Sequence, residues 1–216
     1  MVSAMKNYRV VLWVLALLGL AADQAAKYSV FSSLTGAAKH RYWLLQTGPD
    51  SGFALETRYD EDQELKGVFV PHVNQGALFG LGRGLETIAN AIFAIVSLLA
   101  AAAIVYWSFK PGASGDLWIC MALGLILAGT LGNLYDRVVF NGVRDFLHWN
   151  YLFDWPVFNI ADSCLVCGAG LLLFQAFGRQ VAVKKAEADA GPASAAATTN
   201  RQEPVSCVGA APAPKL

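Results

Sequence analysis

The sequence predicts an all-α membrane protein: four transmembrane helices with a small β-structured segment outside the bilayer. Three observations carry that expectation. The chain of 216 residues is 56% hydrophobic and only 15% charged, where soluble domains carry about 25% charge. Four segments each supply the roughly 20 mostly apolar residues needed to cross a hydrocarbon core of about 30 Å. Between the first two lies a stretch of short runs broken by Gly, Pro and acidic residues, the pattern of strands and turns. The length suits one domain. Formal net charge is zero, so no nucleic acid is expected as a partner.

The first span runs from about Tyr8 to Tyr28, with Asp23, Gln24 and Lys27 at its far end. Lys6 and Arg9 ahead of an apolar run would also suit a secretory leader. Asp23 and Lys27 stand one helical turn apart, however, and such a pair favours a retained helix. Residues 28–84 contain "HRYWLL", "GFALETRY" and "GVFVPHV" and are expected to form a small sheet at the membrane surface. The second span is Leu85 to Phe109, the third Leu117 to Leu134, and the fourth Val157 to Phe177. Lys6, Arg9, Lys110, Arg179, Lys184 and Lys185 flank the spans on one side. By the positive-inside rule both termini are then cytoplasmic, and loops 23–84 and 135–156 face outward together. Residues 1–185 read as a single membrane domain. Residues 186–216, rich in Ala, Pro, Ser and Thr, cannot build a core and read as a disordered cytoplasmic tail.

Asp162 is the residue that asks for a function. An ionisable group inside a span costs at least about 2.5 kcal/mol at the bilayer centre. Asp162 lies five residues into the fourth segment, only about 7 Å deep at 1.5 Å per residue. A helix-entry acid satisfied by nearby backbone is the plain reading. Asn159, three residues earlier, shares its face and offers an amide. The third span ends in "GTLGNLYDRVVFNGVRDFLHWN", where Asn133, Asp136 and Arg137 share a face if the helix continues. The turn signal "NG" then sends the chain back, which brings Asp145 to the same outer surface as Asp162.

Two carboxyl groups held close cannot both ionise, so one keeps its proton. The ionised member accepts a proton from an attacking water while the other donates to the carbonyl oxygen. That is the equipment of an aspartyl hydrolase. A proton-coupled transporter using Asp162 as a relay is the non-enzyme alternative, but it would need polar groups at mid-membrane depth in several spans. Cys164 and Cys167 form a C-x-x-C inside an apolar helix, where cysteine behaves as a small hydrophobe. His40, His72 and His148 are widely spaced and make no metal motif. No cofactor or metal is expected.

The residues also carry a family resemblance. "DQAAK" (23–27), "NQGALFG" (74–80), "GTLGNLYDR" (129–137), "VRDF" (143–146) and "FNIADS" (158–163) together resemble lipoprotein signal peptidase, also called signal peptidase II. They stand in the family's order and span most of the chain from Tyr8 to about Phe177. The resemblance implies four transmembrane helices with an outer β-cradle, in the bacterial cytoplasmic (inner) membrane. It implies a monomeric aspartic endopeptidase that removes signal peptides from prolipoproteins, cutting before the diacylglyceryl-modified cysteine while the lipid stays in the bilayer. By the same resemblance Asp145 and Asp162 match the catalytic pair and Asn159 the asparagine that supports it. Asn74 matches the cradle asparagine, and Asn133, Asp136 and Arg137 the polar cluster of the third helix. Asp23 and Lys27 match the first-helix pair, with a structural role or a substrate contact. A globomycin-type inhibitor would occupy the same site. The chain departs from the pattern in a longer stretch between Lys27 and Asn74 and in "GALFG" for "GAAFG". It also departs at Arg144, which stands where an apolar residue is usual.

Overall fold

The computed structural model describes residues 7–34, 40–57, 71–75 and 86–189. Four helices carry the chain: α1 (Arg9–Leu34), α2 (Glu86–Ser108), α3 (Leu117–Phe140) and α4 (Ile160–Asp189). Each is long and apolar enough to cross a membrane. Among the described residues three strands join them: β1 (Arg41–Gly48), β2 (Ser51–Glu56) and β3 (Leu147–Asn150). The contacts among these helices and strands lie within the unit Met1–Gln175. Of the second unit, Ala176–Leu216, the described part is the stretch of α4 that ends at Asp189.

The four spans are those expected, but their ends differ. α1 continues through Tyr28 to Leu34, so the first residues of the expected outer segment are helical. α3 continues past Leu134 to Phe140. Both extensions carry polar residues that are buried: Asp23 and Lys27 in α1 and Asp136 in α3 are fully enclosed. These helices follow burial rather than apolarity. α4 begins at Ile160 and continues to Asp189, past Phe177 and into the segment read as tail. Residues 190–216 of that tail, residues 67–70 of "GVFVPHV" and the acidic run "YDEDQE" lie outside the described residues.

α3 is the central helix. Half of its span is buried, against 22% for α1, 17% for α2 and 11% for α4. Leu12 and Ala16 of α1, Ala101 and Ile104 of α2, and Cys120 and Leu127 of α3 form one apolar cluster. Val10, Leu17, Ile92, Leu99, Val166 and Phe174 stay exposed, as suits side chains that meet lipid tails. In lipid, helices associate through close packing rather than water exclusion, which favours small residues at contacts. Gly129 shows the consequence: a Cβ there would come within 2.3 Å of the Ala161 carbonyl oxygen in α4. Because that obstacle is backbone, Gly129→Ala should cost about 2 kcal/mol. A thermal midpoint in detergent unchanged from wild type would contradict this contact.

α3 is bounded by two identifiable caps. Asp116 accepts the Ile119 N–H at 3.1 Å as its N-cap. Asn141 closes it in the left-handed region, φ 58°, a conformation asparagine tolerates. β1 and β2 form an antiparallel hairpin, and β2 pairs antiparallel with β3, Phe53 opposite Trp149 and Ala54 opposite His148. Residues of β2 alternate, with Gly52, Ala54 and Glu56 buried, the period of two of a half-buried strand. The sheet therefore joins the loop before α2 to the loop before α4. The two loops meet on one side of the bundle.

Candidate active site

Asp162 lies in the first turn of α4. The Asn159 side chain accepts the Asp162 backbone N–H at 2.9 Å, and Asp162 Oδ2 accepts the Asn159 N–H at 3.1 Å. This reciprocal pair is a capping box built from Asn and Asp, satisfying two donors at a helix start. The plain reading of Asp162 is thus fulfilled, but it occupies one oxygen only. Oδ1 faces α3, where it accepts the Asn133 side-chain amide at 2.8 Å.

Asp145 lies on the loop between Asn141 and β3, and its neighbours on both sides are fixed. Val143 exchanges two backbone hydrogen bonds with Asn74, at 2.7 and 2.8 Å. Phe146 donates to the Phe158 carbonyl at 3.0 Å and accepts from the Glu56 N–H at 2.8 Å. The Asp145 carboxylate accepts the Asn74 amide on Oδ2 at 3.0 Å and the Asn159 amide on Oδ1 at 2.7 Å.

Asn159 therefore touches both acids. Its Nδ2 reaches Asp145 while its Oδ1 and backbone N–H hold the helix start that carries Asp162. Burial, followed by the nearby Asp162 charge, pushes the Asp145 carboxyl up to about 7, against the lowering effect of the Asn74 and Asn159 amides. Such a pair titrates as a unit.

A second polar cluster ties α1, α3, α4 and the Asp145 loop together. Lys27 Nζ lies 2.8 Å from Asp23 and 3.2 Å from Asp136, and donates to Asn133 Oδ1 at 3.3 Å. Asp23 Oδ1 accepts the Ala161 N–H in the first turn of α4 at 2.9 Å. The Asp23–Lys27 pair thus acts through α4, and Asp23, Lys27 and Asp136 have no exposed surface. Arg137 turns the other way, donating to Asn90 of α2 at 3.1 Å and lying over the Phe93 ring.

Of the residues read from sequence, Asn74, Asn133, Asp145, Asn159 and Asp162 share one hydrogen-bonded network. Asp23, Lys27 and Asp136 form the ion cluster beside it, joined through Asn133. Arg137 donates its hydrogen bond to Asn90 and acts on the two acids through its charge. Gln24, Asn90 and Arg144 join these networks without a motif that marks them. For Gln24 and Asn90 the signal was a polar residue in an otherwise apolar span. His148 sits between Glu56 at 2.8 Å and Asp154 at 2.7 Å. Burial works against the Glu56 charge, but hydrogen bonds from Arg41 and His148 outweigh it and hold the carboxyl below its ordinary value.

A sequence model of the family "Signal peptidase (SPase) II" matches residues 15–178. A lipoprotein signal peptidase of Rhodopirellula baltica is 38% identical over 178 residues, 76% of this chain and 70% of that protein. One from Pseudomonas putida is 33% identical over 171 residues, 77% of this chain and 85% of that protein. A solved structure described as a bacterial membrane enzyme superposes with a TM-score of 0.61 at 26% identity, covering 82% of this chain and 93% of the other.

Proposed function

The chain belongs to the signal peptidase II family, and from that premise we propose that Asp145 and Asp162 are its catalytic dyad. The protein is an aspartic-type membrane peptidase that removes signal peptides from prolipoproteins. The observation that carries the dyad is Asn159, whose one side chain reaches Asp145 and caps the helix turn bearing Asp162.

The chemistry follows from the two environments. The Asp162 charge helps raise Asp145, so Asp145 is the member that keeps its proton near neutrality. Asp162 takes a proton from water as the water oxygen attacks the scissile carbonyl. Asp145 delivers its proton to the carbonyl oxygen, giving a neutral tetrahedral diol. Collapse of that diol reforms the carbonyl as one hydroxyl returns its proton to Asp145, and the departing nitrogen leaves as an amine after taking the proton held by Asp162. Asn74, Asn133 and Asn159 hold the carboxyl groups in register through neutral donors. Asp136 and Lys27 act through Asn133 and the α1–α3 contact.

The scissile bond is the one before the diacylglyceryl-modified cysteine, because that lipid stays in the bilayer and presents its peptide bond where α4 begins. The basic flanks support a topology with both termini in the cytoplasm and the dyad on the outer face of the inner membrane. The bundle buries its polar groups within one chain, which supports a monomer. A globomycin-type inhibitor is expected to compete with substrate here. Residues 1–185 serve as the peptidase domain, with 186–216 a tail.

A pH series tests the proton assignment. Above about 7 Asp145 loses its proton, both members are ionised and no acid remains, so kcat should fall on the alkaline side. The Asn74 amide favours the ionised form of Asp145. Removing it in Asn74→Ala should raise the Asp145 value and move the alkaline limb to higher pH. A limb that stays in place or moves down in Asn74→Ala would remove Asp145 as the acid.

A further inference from the structure

We propose that Arg144 is a positioning residue for the dyad, fixing the Asp145 backbone through a fork onto Asp136; this rests on the assignment of Asp145 above. Arg144 immediately precedes Asp145 and is only 2% exposed. Its backbone N–H donates to Asp136 Oδ2 at 3.0 Å, and its side-chain Nε reaches the same oxygen at 3.3 Å. One terminal guanidinium nitrogen reaches Asp136 Oδ1 at 2.9 Å and Gln24 Oε1 at 3.0 Å. The guanidinium carbon lies 4.4 Å from the Tyr28 ring centroid and 4.1 Å from that of Phe140. One side chain thereby joins α1, the last turn of α3 and the residue next to the acid.

The chemistry of the fork matters. A planar guanidinium can meet both oxygens of a carboxylate and lie against aromatic faces at once. Its charge also offsets Asp136, since Asp23 and Asp136 together would otherwise face Lys27 alone within this cluster. Lysine would supply the charge as a single point on a flexible stem. It cannot reproduce the two-oxygen contact, the Gln24 contact and the ring contacts together. Asp145 would then be less tightly set against Asp162, and displacement of about 1 Å costs up to about 100-fold in rate.

The test compares Arg144→Lys, Gln24→Ala, Asp145→Asn and wild type, each purified as the full chain in detergent. Cleavage of a diacylglyceryl-modified prolipoprotein is followed below every variant's thermal midpoint. For Arg144→Lys we expect kcat about 10- to 100-fold lower with KM within about twofold of wild type. Gln24→Ala, which removes one partner of the fork without changing a charge, should lower kcat in the same sense but less. A purely structural Arg144 would lower the midpoint and leave kcat per folded molecule unchanged, and that result overturns the proposal. If Arg144→Lys does not fold, an unchanged kcat in Gln24→Ala overturns it equally. Asp145→Asn separates the two claims. If it is inactive while the others match wild type, only the role of Arg144 fails; if it is active, the dyad and Arg144 fail together.

Discussion

Asp145→Asn and Asp162→Asn should each lower kcat by at least about 1,000-fold while leaving the protein folded, in line with the loss of general acid–base catalysis. The two substitutions remove different things. At position 162 an amide keeps an oxygen that can accept the Asn159 N–H, so the capping box that starts α4 can persist. What disappears is the group able to take a proton from water, together with the oxygen that accepts the Asn133 amide. At position 145 the carboxylate accepts from two amides, Asn74 and Asn159. An amide there can satisfy one of them through its oxygen and must present its NH2 to the other, at a cost of about 1–3 kcal/mol unless that partner turns over. The double variant should be no worse than either single one, because groups that act as a unit fail together. Product of the two single losses in the double variant would mean that the carboxyl groups act independently.

Lys27→Met should be the most destabilising single change among the polar residues, by about 3–5 kcal/mol, the cost of stranding a buried charge. Lys27 is fully enclosed and is the cation shared by Asp23 and Asp136, at 2.8 and 3.2 Å. Without it Asp23 keeps the hydrogen bonds from the Ala161 N–H and the Gln24 amide but loses its ion pair. Pairing the change with Asp23→Asn removes the stranded charge and leaves an oxygen to accept the Ala161 N–H. The double variant should therefore recover part of the lost stability. Thermal midpoints in detergent decide the matter: equal midpoints for Lys27→Met and wild type would contradict the ion cluster.

The spans were legible because apolar runs of the right length are a property of the sequence alone. Their ends were less so, since Asp23, Lys27 and Asp136 extend α1 and α3 only by finding one another across the bundle. The order of the motifs was enough to bring Asp145 and Asp162 to one side, and Asn159 was readable as a neighbour three residues from Asp162. Its reach to Asp145 was not readable, because that contact depends on the loop after Asn141. β3 was also hidden. "LHWN" is four residues long and pairs with β2 from the far side of two spans, so no local alternation marks it. Arg144 read as a departure from the family pattern, and its burial between Tyr28, Phe140 and Asp136 exists only in three dimensions.

The central claim is that this chain cuts lipid-modified precursors with the Asp145–Asp162 pair. Its most direct test is to incubate purified wild type and Asp162→Asn with a diacylglyceryl-modified prolipoprotein and its unmodified counterpart, and to identify the products by mass. The account predicts one cut by wild type, before the modified cysteine, with neither precursor cut by the variant. Cleavage at another bond, equal cleavage of the unmodified precursor, or comparable cleavage by Asp162→Asn would contradict it.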